Sequence, residues 1–163
     1  MSAKGQLPNP MMRRRFGFTR TIPVMPHFIE TYRGTVSPTD CDDLGHMNVQ
    51  HYFAAVSNGM FAMMNRLGLT PEEIQRRQMS FAVVHAETDF HRELHAGETL
   101  LLESTVLRLG DKSVTFQHRL RNLSTSTVAM TTDFKCVLLD LRKREAVLIP
   151  EDIRAAATEL AAN

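Results

Sequence analysis

Residues 40–52 read Asp-Cys-Asp-Asp-Leu-Gly-His-Met-Asn-Val-Gln-His-Tyr, and this stretch decides how the rest of the chain is interpreted. Asp40, Asp42 and Asp43 crowd one turn, which runs into Gly45-His46-Met47-Asn48. From Leu44 to Asn65 there is no Asp, Glu, Lys or Arg. Tyr52, Val56, Gly59 or Met60, Met63 and Leu67 fall on one stripe at helical spacing. Ala54, Ala55, Ser57 and Ala62 fill much of the other side. The pattern predicts a helix from Asn48 or Val49 to Leu67, stopped by Gly68. A helix without charge on any face is expected to be covered all round. At least one carboxylate then stands at the positive end of that helix, beside N–H groups with no intrahelical partner. Such donors hold an oxyanion, so the pairing is a candidate hydrolytic site.

Working outward, Phe28 to Val36 reads as a first strand that ends at Ser37-Pro38-Thr39-Asp40. After the long helix, Thr70 is a natural N-cap for a short helix over 71–77, with Pro71 first and Glu72 and Glu73 at its positive end. From Ser80 the period changes to two. Ala82, Val84, Ala86 and Thr88 alternate with Phe81, Val83, His85, Glu87 and Asp89. A turn at Ala96-Gly97-Glu98 precedes a strand over 99–109, and Gly110-Asp111 marks a tight hairpin. Val114, Phe116, His118 and Leu120 line one face of the next strand. Val128, Met130, Phe134, Cys136 and Leu138 line one face of the strand over 126–140. Pro150 opens a C-terminal helix to about Leu160. The order predicts an α+β domain in which an antiparallel sheet wraps around one long central helix.

The 163 residues suffice for one domain, assigned to 28–163, preceded by an arm over 1–27 with no core pattern. Residues 1–29 hold Lys4, Arg13, Arg14, Arg15 and Arg20 and no acid, so they contribute +5 of a net +1 and the remainder sums to −4. An acidic body without interleaved aromatic and basic residues argues against nucleic acid as a partner. Two cysteines, Cys41 and Cys136, make no disulfide framework. Arg20, Pro23 and Pro26 interrupt any leader-like apolar run, and the uncharged stretch is too polar to span a bilayer. The expectation is a cytoplasmic protein with no membrane partner.

The segment Asp40–Asn48 has the form D-x-D-x-x-G-H-x-N, and Tyr52-Phe53 follows it. Together with Asp89-Phe90, Ala96-Gly97-Glu98 and Lys112-Ser113, it resembles hotdog-fold thioesterases of the 4-hydroxybenzoyl-coenzyme A type over residues 28–140. The resemblance implies hydrolysis of an acyl-coenzyme A thioester to free acid and coenzyme A. Asp42 sits where the family's catalytic carboxylate sits, as general base or nucleophile, and backbone N–H near Asn48 and Val49 would polarise the carbonyl. It also implies a dimer or tetramer with sites at the subunit interface. Coenzyme A enters as part of the substrate, and no separate cofactor is expected. Two departures stand out. Many relatives continue Asn-Asn where this chain has Asn48-Val49, and many carry a carboxylate in the central helix where this chain has Ser57 and Asn58.

Each candidate has an alternative role. Asp42 can be the catalytic base or nucleophile or only a helix cap; Asp40 and Asp43 suit capping and the turn better. His46 can orient the carboxylate or simply close the turn. Asn48 can bond the carboxylate or cap the helix. Tyr52 is a core residue or a substrate contact. His85 can reach a neighbouring subunit's site. Arg108, Lys112 and Ser113 flank the Gly110-Asp111 hairpin and can meet coenzyme A phosphates, with Arg92 a remoter candidate. Met60, Met63 and Met64 are expected to line an adaptable acyl pocket. His91 and His95 lie across a strand end rather than on a helix, so no metal site is expected. Cys41 is quenched as a nucleophile by the acids around it. Two other readings are a non-catalytic acyl-thioester binding protein and an enoyl-coenzyme A hydratase or dehydratase.

Overall fold

A computed structural model describes residues 27–162; the arm assigned to 1–27 lies outside them except for His27. In chain order come β1 (Ile29–Thr35), a 3-10 turn (Pro38–Asp40), α1 (Val49–Arg66), α2 (Pro71–Arg77), β2 (Met79–Phe90), β3 (Thr99–Leu109), β4 (Ser113–Asn122), β5 (Thr127–Asp140), the short β6 (Glu145–Ala146) and α3 (Glu151–Ala162). The main sheet has the order β1-β3-β4-β5-β2, antiparallel throughout, with β6 added to β5. It curls around α1, the expected hotdog architecture. β2 does not pair with β3, which follows it; it crosses to the far edge and pairs with β5.

Local chemistry accounts for the element ends. Thr70 Oγ1 accepts from Glu73 N–H and Pro71 fills the first turn of α2. Gly68 ends α1 with φ +77, a conformation that favours glycine. Alternation in β4 buries Val114, Phe116, His118 and Leu120 against α1. Val56, Met63 and Leu67 meet them from the helix, and Ile153 and Ala157 join from α3, which packs against β3.

One polar chain crosses this core. Thr31 Oγ1 lies 2.7 Å from Ser104 Oγ, which lies 2.7 Å from Nδ1 of the fully buried His118. Thr31 also donates to the carbonyl of Leu102 at 3.3 Å. Its single proton being used there, Ser104 donates to Thr31 and His118 donates from Nδ1. Nε2, which has no partner, is then the unprotonated nitrogen.

The expectation of an all-round buried helix is corrected. Val49, Ala54, Ser57, Asn58, Phe61 and Asn65 of α1 face outward, Phe61 at 63% exposure. On β2, a bulge at Val84 breaks the expected alternation, and Val83, Val84 and Phe90 are also exposed. The absence of charge on α1 therefore does not mean that its own chain covers it.

Candidate functional site

The acidic turn is a hairpin whose residue types follow from its geometry. Cys41 and Met47 form an isolated antiparallel bridge, Asp42 N–H donates to His46 O, and Gly45 N–H donates to Asp42 O at 2.9 Å. Gly45 has φ +82, which explains glycine at that place. Asp42 Oδ1 accepts from Leu44 N–H at 3.0 Å, an Asx turn that holds the loop. Asp40 is occupied elsewhere. Its Oδ2 accepts from Ser37 N–H at 2.9 Å, closing a capping box, and its carbonyl accepts from Asn48 N–H at 2.8 Å. Asp43 lies exposed at the tip.

Asp42 is thereby fixed at the start of α1. Its Oδ2 accepts from Asn48 Nδ2 at 2.9 Å, while Asn48 Oδ1 accepts from Gln50 N–H at 3.1 Å as the N-cap. Both roles weighed for Asn48 are filled by one side chain. The Leu44 N–H holds the Asp42 carboxyl below the ordinary carboxylate range, with help from Asn48 and nearby His46 and against desolvation. With Asn48 N–H taken by Asp40, Val49 N–H is the first-turn donor with no acceptor among the described residues. The donor pair expected from Asn48 and Val49 thus reduces to Val49.

A cavity of about 320 Å³ opens beside this helix end. Met47, Val49, Tyr52 and Phe90 form its apolar walls, and His46, His91, Arg92 and Glu93 its polar rim. Tyr52 is 4% exposed and meets Phe90 edge-to-face at 5.3 Å, so it serves core and cavity together; burial pushes its hydroxyl pKa up. His46 is half-buried, with Nδ1 3.3 Å from Met47 O and Nε2 3.9 Å from Glu93. Asp42 does not itself line the cavity, and its half-buried carboxylate is not in the dry crevice expected of it within one chain.

Other expectations are redirected. Met60, Met63 and Met64 are packed in the core and do not line the cavity. His85 is exposed in the middle of β2. Arg108, Lys112 and Ser113 sit at the far end of the sheet. Asp42 belongs to the end where Met47 N–H meets Leu94 O and Val36 N–H meets Glu98 O. From Thr99 to Arg108 the strand then runs about 30 Å. Lys112 Nζ donates to Ala146 O at 3.0 Å. His91 and His95 are engaged apart, with Thr131 Oγ1 and with Gly45 O, and among the described residues no group of three or more His, Cys, Asp or Glu is placed to hold a metal ion. Nor is any described helix long and apolar enough to cross a membrane. Sequence reasoning named Arg92 only as a remote phosphate contact and did not foresee that Phe90 to Glu93 form a wall of this cavity. The long-range pairing of Leu94 with Met47 helps to bring it to the helix end.

Fold and turn define the class: a hotdog domain with its carboxylate pinned at the start of the central helix. The chain belongs to the Thioesterase-like superfamily, whose family profile matches residues 36–157. Among solved structures it is similar to a hypothetical protein of Staphylococcus aureus characterised in complex with CoA, at 16% identity over 88% of this chain and 89% of that one, TM-score 0.78. It is also similar to a 1,4-dihydroxy-2-naphthoyl-CoA thioesterase from Synechocystis, at 18% identity over 79% and 95% of the two chains, TM-score 0.69. At these identities the likeness is one of fold.

Proposed function

We propose that the protein hydrolyses an acyl-coenzyme A thioester, with Asp42 as the catalytic carboxylate. The observation that carries this reading is the fixed, ionised Asp42 at the N-terminus of α1, next to the unoccupied Val49 N–H and an apolar cavity. In the reaction, Val49 N–H and the helix dipole stabilise negative charge developing on the carbonyl oxygen. Either Asp42 takes a proton from a water that attacks the carbonyl carbon, or it attacks that carbon itself to form a mixed anhydride that water then hydrolyses; on both routes the coenzyme A thiolate leaves and the free acid is released. Membership of the superfamily and the CoA-bound Staphylococcus aureus neighbour support the substrate class. The motif's likeness to the 4-hydroxybenzoyl-coenzyme A type supports the role of Asp42. A purified Asp42→Asn variant, followed by thiol release over a panel of acyl-coenzyme A esters, should lose about a hundredfold to ten-thousandfold in kcat. Full activity in that variant rejects the assignment.

The site is completed by a second copy. β2 is a 12-residue edge strand with one side unpaired, and five of the seven exposed large hydrophobics among the described residues, Val49, Phe61, Val83, Val84 and Phe90, lie on α1 and β2. Antiparallel pairing of two β2 edges about a two-fold axis near His85 sets the Met79 end of one copy against the Phe90 end of the other. The β3–β4 hairpin at Gly110-Asp111 lies at the Met79 end, through the register Ala82–Val137–Ser113. Arg108, Lys112 and Ser113 of the partner subunit then stand on the side of Asp42, in place to meet coenzyme A phosphates.

A further inference from the structure

Arg92 differs from the other arginines in its surroundings. Arg33, Arg76, Arg77, Arg119 and Arg121 each meet a carboxylate. Arg92 has no ion pair among the described residues. Its one side-chain bond is a long contact to the carbonyl of its neighbour His91, at 3.4 Å. Glu93, the nearest acid in sequence, is directed instead toward His46 at 3.9 Å and His95 at 3.8 Å. Arg66, Arg108, Arg142, Arg144 and Arg154 also lack a carboxylate partner among the described residues, but none of them lines the cavity that reaches the start of α1.

The backbone beneath Arg92 is held on both sides. His91 N–H and Arg92 N–H both donate to Ala129 O, at 2.7 and 3.2 Å. His91 Nε2 lies 2.8 Å from Thr131 Oγ1. Two residues on, Leu94 is fully buried and its carbonyl accepts from Met47 N–H at 2.7 Å. An uncompensated guanidinium thus stands on a pinned segment, at the rim of a cavity whose lining includes Val49. Guanidinium is permanently charged, and its planar fork of donors matches the paired oxygens of a carboxylate or phosphate. Arg92 is exposed at that rim, where an incoming anion can reach it.

We infer that Arg92 recognises an anionic oxygen group of the thioester substrate held in this cavity. The inference rests on the thioesterase reading. Two parts of such a substrate carry the required chemistry: a carboxylate at the far end of the acyl chain, or a phosphate of coenzyme A. Calorimetric titration distinguishes them, with coenzyme A, octanoyl-coenzyme A and the monothioester of octanedioic acid as probes. Asp42→Asn protein keeps the esters intact and serves as the parent for Arg92→Met and Arg92→Lys. Arg92→Met is expected to weaken binding about tenfold, and Arg92→Lys to recover part of the loss. Loss confined to the octanedioyl ester assigns the distal carboxylate; equal loss for all three probes assigns a phosphate. Unchanged binding of all three by Arg92→Met, or no binding to the parent, overturns the inference. If wild-type protein hydrolyses none of the esters while the Arg92-dependent binding persists, the hydrolytic reading falls and the role of Arg92 stands.

Discussion

Asn48 donates from Nδ2 to Oδ2 of Asp42 at 2.9 Å while its Oδ1 caps α1 through Gln50 N–H, so one side chain ties the candidate catalytic carboxylate to the helix end. The two functions separate by mutation. Asn48→Asp keeps a capping oxygen but replaces the donor to Asp42 with a second negative charge. It should retain near-wild-type thermal stability and lose at least about tenfold in kcat. Asn48→Ala loses cap and donor together, and its denaturation midpoint should fall by an amount corresponding to about 1 kcal/mol. Equal activity in Asn48→Asp and wild type rules out the positioning role.

Acid should affect fold before chemistry. Burial lowers the pKa of His118 from 6.5 to about 4. A group that resists protonation in the native state favours the unfolded state once the unfolded form takes up the proton. The His118 contribution is therefore fully present above pH 6.5 and is lost as pH falls from there toward 4. The loss amounts to about 3 kcal/mol across that window. Urea denaturation at pH 7 and at pH 4.5 should show it, and His118→Phe should flatten the dependence. Asp42, held below the ordinary carboxylate range, stays ionised throughout this interval. An acid limb in kcat between pH 5 and 7 that persists while the protein remains folded contradicts this account.

At Gly59 the helix comes close against the sheet. A Cβ added there collides with Cδ2 of Leu102 and falls 2.9 Å from Oγ1 of Thr31, the first member of the polar chain that ends at His118. Gly59→Ala should destabilise the protein by about 1–3 kcal/mol despite the better helix propensity of alanine. A gain in melting temperature shows that the contact relaxes freely.

Gly59 also illustrates what the sequence could carry. The apolar stripe left Gly59 and Met60 as alternatives, because periodicity sees the helix and not the strand opposite. Local signals were enough for Thr70-Pro71 at the start of α2, Gly68 after α1, and both ends of β3. The D-x-x-G spacing of Asp42 to Gly45 was legible too, since an Asx turn and a left-handed glycine are short-range requirements. Long-range geometry was not. Pairing of β2 with β5, the bulge at Val84 and the approach of Leu94 to Met47 depend on chain segments tens of residues apart. For that reason the methionines were expected at a cavity whose walls are Met47, Val49, Tyr52 and Phe90. The uncharged outer face of α1 was read as covered by its own chain. Absence of charge marks a face suited to burial without saying whose surface would cover it.

That outer face leads to the last expectation. Val84 stands on the bulge of the unpaired β2 edge at 56% exposure, and Phe61 projects from α1 at 63%. Neither supports the core of its own chain, so a charge at either place leaves the protomer folded. Across a two-fold axis near His85, however, Val84→Lys sets like charges close together in a surface that self-association would dry, which costs several kcal/mol. Val84→Lys should therefore shift the protein to monomer in sedimentation velocity while its circular dichroism stays unchanged. Activity should fall with it if, as proposed, the hairpin residues Arg108 and Lys112, about 30 Å along the sheet from the Asp42 end of their own chain, serve the partner's site. Phe61→Asp tests the helix half of the same surface. A Val84→Lys protein that sediments as wild type and keeps its KM for acyl-coenzyme A removes both the edge pairing and the shared site.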